Sequence, residues 1–168
     1  MSEKQLDGVD AILNQWRAEK PELELSAMAI IGRLKRCEAL MQPQLEKVFS
    51  QHGLSFWEFD VLATLLRSGK PYCLAPTELF SALMVTSGTM THRMSQLEKK
   101  GLIERFINKN DARSKLVKLS ASGFEIINKA VDEHVENERN ILSSLNDEQQ
   151  QQLDLSLNQL LILLENIN

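Results

Sequence analysis

The sequence predicts a mainly α-helical fold carrying one small β-hairpin wing, and three observations predict it. Apolar residues recur with helical spacing through most of the 168-residue chain. One segment, from about Leu102 to Leu119, changes to a period of two around a tip rich in Asn, Asp and Lys. Gly53, Gly69, Pro71 and Gly101 stand where helical patterns stop. With 43% hydrophobic and 25% charged residues the composition is that of a folded, water-soluble chain, and its length calls for a single domain over 1–168.

The first element is a short amphipathic helix over about 7–20. Val9, Ile12, Leu13 and Trp16 fall at i, i+3, i+4 and i+7 behind Asp7 as N-cap, and Pro21 follows. A long helix over 26–51 has Ala27, Ile30, Ile31, Leu34, Cys37, Met41, Leu45 and Val48 on its apolar side, a kink expected at Pro43, and Gly53 as its stop. Ser55 and Glu58 have capping-box spacing and open a helix to about Ser68. Pro76 suits the first turn of a short helix to Leu83, and a tight turn at Met84 and Val85 leads to a helix over about Ser87 to Lys100. That pair is a helix-turn-helix, and with the hairpin it makes a winged helix-turn-helix over 55–119. The hairpin strands are Leu102–Ile107 and Lys115–Leu119, with a turn-rich tip over Asn108–Ser114. Ser120 caps a helix to about Arg139. Asn146 caps a last helix in which Leu153, Leu157, Leu160, Leu164 and Ile167 form a stripe that wants a helical partner.

Charge is segregated along the chain. The net charge is -4, yet between Lys99 and Lys118 seven cations face two carboxylates, whereas between Asp132 and Glu165 eight carboxylates face Arg139 alone. Phosphates feel the local field rather than the average, so one region suits a polyanion and the other does not. No apolar run reaches membrane-spanning length, and the polar start Met1–Asp10 is unlike a secretory leader, so the expected compartment is the cytoplasm, without a membrane partner. Cys37 and Cys73 have neither disulfide-framework nor metal-ligand spacing, and no cofactor or metal is expected. There is no Gly-rich phosphate loop and no recognisable nucleophile arrangement, which argues against an enzyme.

The helix over 87–100 places Met90, Met94 and Leu97 inward and leaves Ser87, Gly88, Thr89, Thr91, His92, Ser95 and Gln96 small or polar on the outside. A helix with such an outer face can enter a major groove, where hydroxyl, imidazole and amide groups meet base edges. The adjoining hairpin offers Arg113 to a minor groove and Lys109 and Lys115 to phosphates. Either feature alone is common in proteins that never touch DNA, and it is their direct succession that points to a half-site reader.

These residues carry a resemblance. TSGTMTHRMSQLEKKGLIER (86–105), NDARSK (110–115) and LSASG (119–123) are similar to the corresponding motifs of the MarR family of winged-helix regulators. The resemblance implies a homodimer, built by the helices over 26–51 and 121–168, that binds a pseudo-palindromic double-stranded DNA operator. Trp16, Asp60, Arg67 and Arg93 also match the signature of the family's urate-responsive PecS and HucR branch. There the tryptophan and the first arginine are implicated in holding the ligand, and the aspartate and second arginine in relaying its presence. The effector so implied is a small anionic aromatic, urate or a purine-like ring, that lowers operator affinity. Two positions depart from the pattern: Ala75 stands where relatives often have a capping threonine, and Leu66 where an arginine pair is usual.

Physical chemistry gives that signature a rationale. Asp60 lies among Phe59, Val61, Leu62, Leu65 and Leu66, so its carboxylate needs a cation, and Arg93 is the expected one. An anion held by Arg67 under the Trp16 indole would disturb that pair and pass the shift to the DNA-reading helix. Without the resemblance, the same residues read as a packing tryptophan, an arginine at a helix C-terminus and a structural ion pair. Three other readings stay open: a sensor of phenolic carboxylates or drugs, an oxidation sensor using Cys37 or Cys73, and a helical protein-interaction module.

Overall fold

In the computed structural model, residues 5–83, 90–108 and 111–167 are described, residues 90, 91 and 111–114 by their backbone alone. The elements in chain order are α1 (Gly8–Glu19), α2 (Ser26–Gln51), α3 (Phe56–Arg67), β1 (Cys73–Leu74), α4 (Pro76–Ser81), α5 (Met90–Lys99), β2 (Ile103–Asn108), β3 (Asp111–Leu119), α6 (Ala121–Leu142) and α7 (Asp147–Ile167). The mainly helical architecture with a small antiparallel wing is the one the sequence predicts. The chain divides into two compact units, 1–44 and 45–168.

In the first unit α1 begins as expected. The Asp7 carboxylate accepts the N–H groups of Val9 at 2.8 Å and Asp10 at 3.0 Å, and Asp10 accepts the Asp7 N–H in return. Arg33 of α2 then grips both carboxylates, its Nε 2.8 Å from Asp7 and its Nη2 2.8 Å from Asp10. The guanidinium holds Asp7 below the usual carboxylate range. Val9, Leu13 and Leu25, with Ala29 against them, form the small core of this unit.

The second unit holds the main core. Phe49, Leu62, Leu65, Leu79, Leu97, Ile103, Val117 and Ile127 are all but inaccessible to water and come from helices and strands alike. Glu58 accepts from the Ser55 N–H at 2.8 Å and hydroxyl at 2.9 Å, so α3 starts where the capping spacing places it. At α4 the residue before the helix is Ala75, which cannot cap. Glu78 nevertheless accepts the Ala75 N–H at 2.9 Å, so half of the reciprocal arrangement survives the missing threonine.

The sheet differs from the expected two-stranded hairpin. Its order is β1-β3-β2, all antiparallel, with Cys73 opposite Lys118 and Leu74 opposite Val117. Two residues are too short to show alternation, which is why β1 reads as loop in the sequence. The second strand of the hairpin is also longer than expected: β3 begins at Asp111, and Asn108 pairs with Asp111 across an irregularity at Ile107 and Asn108. Cross-strand pairing carries polar, turn-like residues into the ladder here.

A short stretch after the wing locks the domain together. Gly101, at φ +70°, ends α5 in the left-handed conformation. Its carbonyl accepts from the hydroxyls of Ser120 at 2.6 Å and Ser122 at 2.8 Å, while the Ser120 N–H donates to the Leu102 carbonyl at 3.2 Å. Gly123 completes the seam, because a Cβ there would overlap the Leu102 carbonyl oxygen and lie 2.9 Å from its carbon. The LSASG run thus stitches the start of α6 to the end of α5.

His52 and His134, which the sequence leaves without partners, each meet a carboxylate of α6. His52 Nε2 is 2.8 Å from Glu133, and His134 Nε2 is 3.2 Å from Glu138, with the His134 ring packed against both Phe49 and Phe59. At α7, Asn146 and Gln149 cap each other reciprocally at 2.9 and 3.0 Å. None of the described residues of α7 is buried.

Candidate nucleic-acid interface

α5 is two-faced in the way its spacing requires. Met94 and Leu97 are 3% and 0% exposed and turn into the core, while His92, Gln96 and Lys99 are exposed on the other side. The backbone of Thr91 is placed on the same helix. Ser87, Gly88 and Thr89 lie outside the described residues, as does Lys109 of the wing. Arg113 is on β3, described by its backbone, and Lys115 is exposed on β3 opposite Ile107.

The wing and α5 are neighbours, and charged groups show it. Arg105 of β2 donates from Nε to Glu98 of α5 at 2.9 Å, and its Nη2 pairs with the same oxygen. The Glu98 carboxyl is held below its ordinary range, first by Arg105 and further by the positive charge of Lys115. One carboxylate of α5 therefore feels cations from both wing strands. An exposed polar helix face and a cationic two-stranded ribbon lie beside each other in one compact unit, which is the geometry needed to occupy adjacent grooves.

The four signature residues are divided between the units. Trp16 is 38% exposed on α1 of the first unit. In the second unit Asp60 is buried within α3, 5% exposed, and its backbone carbonyl accepts from the Thr64 hydroxyl at 2.7 Å. Arg67 is exposed at the end of the same helix, and its guanidinium donates to the Ala82 carbonyl, the last acceptor of α4. It completes the C-terminus of a neighbouring helix rather than of its own. Arg93 is half-buried, with its guanidinium carbon 5.1 Å above the Trp57 ring centroid. That indole stands one turn before Asp60, which the sequence offers as the partner of Arg93, on the same helix α3.

Trp57 and the Glu58–Lys100 pair are the residues that sequence reasoning misses. Glu58 is buried and Lys100 exposed, with Nζ 2.6 Å from the carboxylate. Burial pushes the Glu58 pKa up, but Lys100 and the two Ser55 donors outweigh it and hold it below the ordinary value. Cys73 is the opposite case: burial raises its thiol pKa and Lys118 only partly offsets this. Cys37 is exposed. Among the described residues no group of three or more His, Cys, Asp or Glu is placed to hold a metal ion, and no helix is long and apolar enough to cross a membrane.

Comparison with known proteins adds a second line of observation. The profile of the MarR family matches residues 54–115, the segment from the start of α3 into the wing. The chain is 44% identical over 145 residues to the HTH-type transcriptional regulator PecS of Dickeya dadantii, covering 86% of this chain and 87% of that one. Its fold is similar to that of AbsC, a MarR family transcriptional regulator from Streptomyces coelicolor. The TM-score there is 0.73 at 23% identity, over 86% of this chain and 97% of AbsC. A mutant MarR from E. coli, solved in complex with operator DNA, superposes with a TM-score of 0.69 at 25% identity, over 83% of this chain and 99% of that one.

Proposed function

The chain belongs to the MarR family, and from that premise we propose that it is a ligand-responsive repressor, a homodimer that releases its operator when urate or a related purine binds. Its general role is that of a DNA-binding transcription regulator and not of an enzyme. The observation that carries this reading is the juxtaposition of the exposed face of α5 with the cationic wing. His92, Gln96 and Thr91, with Ser87, Gly88 and Thr89 before them, are the residues proposed to meet bases. Arg113 is assigned to the minor groove, and Lys109 and Lys115 to phosphates. The solved complex of MarR with operator DNA supports DNA binding by this fold.

Dimerisation is supported by what the single chain leaves uncovered. Leu153, Leu157, Leu161 and Leu164 of α7 are between 41% and 54% exposed, and water-facing leucines at that spacing favour a second copy. Two copies related by a twofold axis would present two α5 helices to half-sites about one helical turn apart. The helices over 26–51 and 121–168 are the proposed dimer elements of one functional module spanning 1–168, acting in the cytoplasm.

The effector reading rests on Trp16, Asp60, Arg67 and Arg93 and on the similarity to PecS. Arg93 supports it further, since it joins α5 to α3 by a stack on the Trp57 indole. An arriving anion can compete for that cation and so favour a conformation that binds DNA less well. A difference of about 1–3 kcal/mol between the two conformations weakens the operator complex roughly 5- to 150-fold. The raised thiol pKa of Cys73 argues against oxidation at that position as the signal. Titrating urate into the operator complex tests the reading: affinity should fall at saturation. Unchanged affinity removes the effector and leaves DNA binding in place.

A further inference from the structure

We infer that the consecutive residues Trp57 and Glu58 form a two-point clamp that aims the recognition helix α5, and that Trp57 is thereby a positioning residue for operator recognition. Trp57 lies under Arg93, 5.1 Å from ring centroid to guanidinium carbon, and Glu58 holds Lys100 at 2.6 Å. Arg93 on α5 and Lys100, the residue directly after its end, are seven positions apart, which places them on one side about 10 Å apart along the axis. One contact would fix where α5 sits. Two contacts separated by two turns also fix its direction, which is what aligns side chains with base edges.

The apolar packing between the two points does not perform this task alone. Met94 and Leu97 anchor α5 in the core, but they are adjacent turns of one buried stripe, and a helix can tilt about such a stripe. The polar contacts are off the stripe on the α3 side, while Glu98 and Arg105 brace the wing side. The anchor points themselves are stiff: Glu58 is buried and accepts two further hydrogen bonds from Ser55, and Trp57 belongs to the same first turn of α3. The stack on the Trp57 indole is a contact that holds Arg93 against α3.

The inference rests on DNA binding and not on any effector, and the test separates it from both. Operator duplex recovered by selection and a scrambled duplex of equal length are bound by the full-length wild type and by W57L, W57F, R93M and the double variant W57L/R93M. W57L is expected to weaken operator binding roughly 3- to 10-fold, the range a partly buried cation–π contact allows, while binding to the scrambled duplex stays within about 2-fold. W57F keeps an aromatic face and should retain most of the discrimination. In the double variant the two losses should not multiply, because each removes the same contact. A purely structural role for Trp57 would instead lower binding to both duplexes by one factor, through loss of folded protein. That result, or single losses that multiply fully, or unaltered discrimination in W57L, overturns the inference. If W57L does not fold, W57F and R93M carry the comparison, and R93M retaining full discrimination overturns it equally.

Discussion

Replacing Gly123 with alanine should destabilise the protein even though alanine is the better helix former. The new methyl group would overlap the Leu102 carbonyl oxygen and lie 2.9 Å from the carbonyl carbon, both backbone atoms of a segment pinned by two serine hydroxyls. To make room, α6 must withdraw. Withdrawal lengthens the Ser120 N–H contact to Leu102, now 3.2 Å, and disturbs the cap in which Ser120 Oγ accepts the Gly123 N–H at 2.9 Å. Inserting a methylene-sized group into a filled site costs about 1–3 kcal/mol, and a weakened N-cap adds about 1 kcal/mol. Better helix propensity returns at most ~1 kcal/mol, so the net loss should be about 2 kcal/mol. Equilibrium urea unfolding at fixed protomer concentration measures this: at a slope of about 1–3 kcal/mol per molar, the midpoint should fall by roughly 1 M with an unchanged slope. S120A should lose about half as much, because it removes the cap without the overlap. A G123A midpoint equal to or above that of the wild type would refute the idea that close packing, not turn geometry, requires glycine in this motif.

The Glu58 carboxyl is held below its ordinary value of 4.5 in the folded chain, so its contribution is present at neutral pH and is lost as pH falls through the lowered folded-state value. The stability gap between wild type and E58Q should therefore be widest at pH 7 and shrink below about pH 4.5; a gap independent of pH would remove the charge pairing from the account. On α7, L157E together with L164E would put four carboxylates into a twofold interface. Sedimentation should show a shift from dimer to monomer with operator affinity falling by two orders of magnitude or more, on the order of the cost of unpaired buried charge. A dimer that persists would place the interface elsewhere.

Much of the fold is written locally. Asp7, Ser55 and Asn146 open their helices through side chains three residues away, and an interaction of that range is visible as spacing. What fails to show is whatever depends on another part of the chain. β1 exists because β3 offers it a partner, and Asp111 is drawn into a strand by Asn108 of β2 although the segment's composition suits a turn. The candidate site has the same division. The outer face of α5 follows from its period, but the partner of Arg93 is set in three dimensions. Trp57 and Asp60 stand one turn apart on α3, and the family signature together with the need of a buried carboxylate for a cation favours Asp60 in the sequence. Arg67 shows the limit most simply, since a cation at the end of a helix serves whichever carbonyls come near, here those of α4.

The central claim is that the polar face of α5 and the cationic wing grip DNA together. Operator affinity of H92A/R113A, measured against salt beside the wild type, tests it most directly. The account predicts a loss of at least one to two orders of magnitude and a salt slope reduced by about 2, one minor-groove cation lost from each wing of the dimer. Wild-type affinity and slope in the double variant would contradict it.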